Sequence, residues 1–137
     1  MALGYLYLLG YIFGVGIATF LMRFAMKNLN VWQINLLMAI GMIITTLPGM
    51  YLVQKNFKFP SEGLGLGILA AFLMAVGSLS FVFAITKLPV GLASALSTSY
   101  VLVVVILSAF FLRESVTPLK IAGIVLTLLG VAILSLT

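Results

Sequence analysis

Ser94, Ser97 and Thr98 fall at i, i+3 and i+4 of an otherwise apolar run, and Ser99 and Tyr100 follow at once. Hydroxyls at that spacing share one helix face. They can hydrogen-bond a ligand there, or bond back to carbonyls of their own helix, and the sequence leaves both open. Asn35, Met38, Met42 and Thr45 share a face of a second run, and Met74, Ser78 and Phe81 a face of a third. Polar groups and methionines converging from three helices would line a mostly apolar pocket with a few orienting hydrogen bonds. Such a pocket suits an amphipathic or zwitterionic small molecule. Tyr11, one turn from Tyr7, faces either this space or the interfacial belt, and Gly14 lies on the next turn of the same run. The candidate lining set is therefore Tyr11, Gly14, Asn35, Met38, Met42, Met74, Ser78, Ser94, Ser97 and Thr98. Asn35 lies close to a helix start and to Trp32, so an interfacial or cap-proximal role stays open for it.

The same residue types exclude much chemistry. The chain has no cysteine and no histidine, and its two carboxylates, Glu62 and Glu114, stand 52 positions apart. No nucleophile and base, carboxylate pair or metal-ligand cluster can be assembled from that inventory, so an enzyme ranks last and no metal or cofactor is expected. The net charge of +5 comes from seven separated Lys and Arg, not from a basic run, which argues against nucleic acid as a partner. The glycines at 63, 65 and 67 follow no strand, so they form no dinucleotide loop. They are expected to thin a helix for close packing.

The elements that must position these side chains are written for lipid. Hydrophobic residues make up 64% of the 137 residues, charged ones 7%, and the mean hydropathy is +1.37, where a soluble protein carries roughly 25% charged residues. A helix needs about 20 apolar residues to cross the hydrocarbon core. Cutting the chain at its charges, prolines and amides leaves five such runs, at 3–22, 31–53, 63–86, 90–112 and 119–136. The expectation is one all-α membrane domain over residues 1–137 with five transmembrane helices, multi-pass in a prokaryotic cell (inner) membrane. The first run lacks a basic n-region and is too long for a signal peptide, so it counts as a mature span. Ser61 and Glu62 are expected to cap the third helix and Pro118 to open the fifth, while Pro48 should bend the second. Gly10, Gly14 and Ala18 form one stripe, the first two in GxxxG spacing, which reads as helix packing. Gly123 and Gly130 read the same way.

Charge sets orientation. Lys55, Lys58, Arg113 and Lys120 share one side of the membrane, and Arg23, Lys27 and Lys87 the other. Four against three is almost no bias under the positive-inside rule. One reading is a fixed orientation with a slim excess; the other is insertion both ways round, with opposite copies pairing as an antiparallel homodimer. Five is an odd number of spans, so two copies joined head to tail would form an inverted repeat, the arrangement around which many carriers build a midplane site. Arg113, Glu114 and Lys120 sit between the last two spans at headgroup depth, where charges reach water by snorkelling. Glu114 there either anchors the hairpin, pairing with Arg113, Lys120 or a partner chain, or serves transport.

The stretch from Leu88 to Leu134, LPVGLASALSTSYVLVVVILSAFFLRESVTPLKIAGIVLTLLGVAIL, resembles the end of an EamA domain of the drug/metabolite transporter superfamily. Leu88 and Pro89 open a small-residue helix, Glu114 follows an apolar run, and Thr117, Gly123 and Gly130 complete the pattern. The resemblance implies an exporter-like fold in which most members carry two repeats in ten helices. This chain has one, so the second must come from another chain. It is more distantly similar to the small multidrug resistance proteins, whose first helix carries an embedded Glu. No acid stands in the first span here, so proton antiport through that route is not supported. The function expected is a carrier, exporter or facilitator, of small amphipathic metabolites, amino acids or drugs, working as a homodimer by alternating access. The alternative is a non-transporting membrane subunit of a lipid-modifying or flipping complex.

Overall fold

The computed structural model describes residues 2–54 and 61–136; Lys55 and Lys58, counted above for orientation, lie outside them. Six helices follow in order: α1 (Ala2–Ala25), α2 (Val31–Gln54), α3 (Ser61–Lys87), α4 (Val90–Ser97), α5 (Tyr100–Phe111) and α6 (Pro118–Leu134). The described residues include no strand. α4 and α5 together occupy the fourth apolar run. The helical segments Leu3–Ala25, Val31–Leu52, Ser61–Lys87 and Val90–Phe111 are each long and apolar enough to cross a membrane. The fifth run is shorter, 17 residues in α6, which at 1.5 Å per residue rises about 25 Å. That is the lower limit of a spanning helix.

The chain divides into two compact units, Met1–Lys87 and Leu88–Thr137. In the first, α1 runs 24 residues and ends by tightening, with the N–H groups of Lys27 and Asn28 donating to Phe24 and Ala25 three residues back. Asn30 then starts α2. Its Oδ1 accepts from the Gln33 N–H at 2.9 Å while Gln33 Oε1 accepts from the Asn30 N–H at 2.9 Å. This reciprocal capping box satisfies two of the donors every helix start leaves open. α2 continues through Pro48 to Gln54 as one helix.

The entry to α3 corrects the expected cap. Glu62 (φ −68°, ψ 112°) and Gly63 (φ 92°, ψ −14°) have the dihedrals of a type II turn, whose third position demands positive φ and hence glycine. Ser61 and Glu62 therefore stand in a turn ahead of the regular helix, and Gly63 is needed for that turn rather than for thinning α3.

α2 and α3 pack together. Trp32 meets Phe83 edge-to-face at 6.0 Å and Asn35 meets Ser78, so the start of α2 lies along the end of α3 and the pair is antiparallel. Ile34, Val82 and Ile85 are buried. Apart from Met50, every buried or half-buried side chain described in this unit lies within residues 19–38 or 78–85. The three helices are thus knit at the membrane face where α1 and α3 end, and their opposite halves show no burial except at Met50.

In the second unit α4 packs against α6, with Ala93 and Val131 buried. Thr117 caps α6, its hydroxyl accepting from the Lys120 N–H at 3.3 Å, and Pro118 occupies the first turn, where its missing N–H costs nothing. α5 ends at Leu112, followed by Arg113 at φ 53°.

Candidate functional site

Two of the expected lining residues, 43 positions apart, touch. Ser78 Oγ donates to Asn35 Oδ1 at 2.8 Å, and Asn35 Nδ2 donates to the Val31 carbonyl at 3.0 Å. A carboxamide carries two N–H groups and two lone pairs on oxygen, so one donor and one acceptor remain after these bonds. Both residues are half-buried, as is Met38 one turn further along α2. Met42 and Met74 continue the same faces of α2 and α3 away from the packed end, and are 61% and 72% exposed. The result is a polar pair at the closed end of the unit with flexible thioethers leading to it along two helices. Tyr11 and Gly14 on α1 are exposed.

The packed end has a second polar tie. Arg23 Nη1 donates to the Ile85 carbonyl at 2.6 Å. That carbonyl is one of the last four of α3, which have no partner inside their own helix, and it lies at the negative end of the helix dipole. The cation at the end of α1 thus caps α3. Lys27, from the same connection, sits 5.4 Å from the Phe24 ring centroid, and Phe24 in turn meets Phe20 edge-on at 5.0 Å. Charge counting treats Arg23 as an orientation signal only and misses this bond. The signal available was topological: after two membrane crossings α3 ends on the side where α1 ends, so a cation there faces orphan carbonyls.

The hydroxyls of the second unit settle on the inward-bonding option. Ser94 Oγ donates to Val90 O at 2.7 Å, Ser97 Oγ to Ser94 O at 2.7 Å and Thr98 Oγ1 to Ala95 O at 2.6 Å. With their donors committed to the helix, they offer a ligand only acceptor lone pairs. The helix also breaks here. Thr98 and Ser99 hold φ near −60° and ψ of −15°, and the N–H groups of Thr98, Ser99, Val101 and Leu102 each bond three residues back. This is a 3₁₀ turn within a spanning run, a feature that often marks a hinge. Beside it, α5 and α6 enclose an open groove of about 470 Å³ lined by Thr98, Tyr100, Val101, Val105, Lys120, Gly123, Ile124 and Thr127.

Arg113, Glu114 and Lys120 are all exposed. No ion pair joins Glu114 to Arg113 or Lys120; the Lys120 ammonium donates instead to Ser115 O at 3.0 Å, and the Glu114 N–H reaches back to Ser108 O at 3.3 Å. The packing stripes meet no partner among the described residues. A Cβ placed on Gly10, Gly14, Gly123 or Gly130 would meet no heavy atom within 4 Å, and Ala18 is exposed.

All-helical construction among the described residues and four apolar spans of full crossing length define a multi-pass integral membrane protein. Residues 2–136 match the EamA-like transporter family, and the chain belongs to it. It is a family of membrane transporters rather than of enzymes, within the drug/metabolite transporter superfamily. The chain is 28% identical over 123 residues to an uncharacterized protein of Methanocaldococcus jannaschii, an alignment covering 89% of this chain and 88% of that one. No solved structure matches it.

Proposed function

We infer that the chain is one half of a carrier for small amphipathic metabolites, amino acids or drugs, completed by a second copy in the opposite orientation. The observation that carries this reading is the Asn35–Ser78 pair. An amide with one donor and one acceptor to spare inside a membrane span is costly unless it meets a partner or a wet cavity. Thioethers at Met38, Met42 and Met74 adapt to varied apolar shapes, so the pair can orient a solute whose apolar part they hold. Tyr11 and Gly14, and Ser94 and Ser97 as acceptors, are assigned to the same pathway. Gly10 and Ala18 on α1 and Gly130 on α6, open among the described residues, are assigned to contacts between copies. The near balance of cations across the membrane supports opposite orientations, and five runs per copy make the pair an inverted repeat around a midplane path. The 3₁₀ turn at Thr98–Ser99 gives the fourth run a place to bend during alternating access. With no carboxylate and no histidine inside the five runs, facilitated diffusion or exchange is the mechanism assigned.

Topology reporters fused separately to each end test it, together with cysteines introduced singly into this cysteine-free chain. Both ends should report on both sides of the membrane, cysteines at Gly10 or Gly14 should form disulfides between copies, and the purified protein should move solute across liposomes. One exclusive orientation removes the antiparallel pair. Absence of flux with tight co-purification of another chain would favour the subunit of a lipid-modifying complex.

A further inference from the structure

The groove between α5 and α6 is a separate feature from the Asn35–Ser78 pair, and its lining is graded along the membrane normal. Lys120 stands in the first turn of α6, at headgroup depth, and Thr127 lies seven residues further in. Seven residues rise about 10 Å, and on the α5 wall the stretch from Thr98 to Phe111 rises about 20 Å, less than the roughly 30 Å of the hydrocarbon core. The groove therefore reaches only partway across the bilayer, which does not suit a crossing pathway. Its walls between these points are Val101, Val105, Gly123 and Ile124. The two threonines at its deep end have their donors committed, Thr98 to Ala95 O and Thr127 to Gly123 O at 2.9 Å, so they present methyl groups and spent hydroxyls. One charge is left, at the mouth. The Lys120 ammonium gives one of its three hydrogens to Ser115 O, and no carboxylate pairs with it among the described residues.

A cation with donors to spare at headgroup depth, above a mostly apolar trough that stops short of the far face, matches an anionic phospholipid in both charge and shape. We propose that the α5–α6 groove seats one such lipid, its phosphate on Lys120 and one acyl chain along Val105 and Ile124. The pull of one lysine on an anionic headgroup is about 1 kcal/mol, which corresponds to about fivefold in retention. Gly123 keeps the trough open: a Cβ there meets nothing within 4 Å, so a larger side chain fits the helix and fills the groove.

Native mass spectrometry of the full chain, released from vesicles of equal phosphatidylglycerol and phosphatidylcholine, tests this. The wild type should retain phosphatidylglycerol about fivefold over phosphatidylcholine. Lys120→Gln should bring the two to parity, while Lys87→Gln, at the other membrane face by span count, should change nothing. Gly123→Leu should lower retention of both lipids and Gly130→Leu, outside the groove, should not. Equal retention of both lipids by the wild type would overturn the proposal, as would unchanged retention in Gly123→Leu with its helix content intact. Displacement of the lipid by inorganic phosphate would reassign the site to a free anion. A disulfide between copies through Val105→Cys would reassign the groove to a second chain.

Discussion

Replacing each member of the Asn35–Ser78 pair separately should have unequal consequences. In Asn35→Leu the Ser78 hydroxyl loses its acceptor, but it can turn to the Met74 carbonyl four residues back, as Ser80 already does with Val76 O at 2.8 Å. No polar atom is stranded, and the apolar side chain suits lipid. In Ser78→Ala the Asn35 Oδ1 loses the bond it accepts at 2.8 Å and stays half-buried beside Met38. Hydrogen bonds between membrane helices average about 0.6 kcal/mol and reach about 1.7, and a stranded acceptor costs about 1–3 kcal/mol where water is excluded. Because Asn35 keeps its bond to Val31 O and is not fully enclosed, about 1 kcal/mol is expected for Ser78→Ala and less than about 0.5 for Asn35→Leu. The double variant should match Asn35→Leu alone, so the cycle returns a coupling equal in size to the Ser78→Ala loss, about 1 kcal/mol, above the roughly 0.3 kcal/mol scatter of independent sites. Reversible unfolding in mixed micelles measures all four corners. Equal losses in the two single variants with no coupling would mean that the bond contributes nothing, and the argument for a polar pair at the closed end would fall with it.

Arg23→Met should destabilise the first unit by about 1 kcal/mol, since the Arg23 bond to Ile85 O is charge-assisted but its residue is exposed; Lys27→Met should cost less than half of that, and the same micelle assay separates them. Arg113→Gly should raise thermal stability, because a φ of 53° costs a side-chain-bearing residue about 1 kcal/mol that glycine does not incur. A melting temperature unchanged or lowered in that variant would show that Arg113 holds the α5 terminus by contacts of its own.

The five apolar runs were legible because the bilayer permits so few solutions: without water, every backbone group must bond inside its own helix, so a span declares itself as an unbroken apolar run. Asn35 and Ser78 were legible as well, by residue type, since polar side chains in such runs need partners. That they partner each other was not, because the alignment of α2 along α3 depends on Trp32, Ile34, Val82 and Phe83 packing across the pair. The Asn30–Gln33 box could have been read from its N-x-x-Q spacing. Gly63 was misassigned because a glycine ahead of an apolar run reads equally as a packing residue or a turn residue, and only its φ decides. Nothing in Leu96 to Val101 distinguishes a continuous helix with inward-bonded hydroxyls from the 3₁₀ turn that forms, as both leave the apolar count unchanged.

The long spans are largely uncovered, with 6% to 11% of the most apolar 18-residue stretch of each buried. In water that would demand a partner. In lipid it does not, because acyl chains are as apolar as leucine and helices gain nothing from hiding Leu or Phe from them. The case for a second copy therefore cannot rest on the exposed Leu8, Phe13, Ile43 or Phe72. It rests on groups that lipid serves badly. One is the remaining N–H of Asn35, which hydrocarbon cannot accept. The other is the glycine pair at 10 and 14, open to 4 Å among the described residues. A glycine in a helix costs about 1 kcal/mol against alanine, and what it offers in return, close approach of another backbone, is not used by any described residue of the first unit. Gly10→Leu and Gly14→Leu should accordingly leave the monomer's helix content intact and lower the fraction of crosslinked dimer. If the dimer fraction holds in both variants, the contact between copies lies elsewhere.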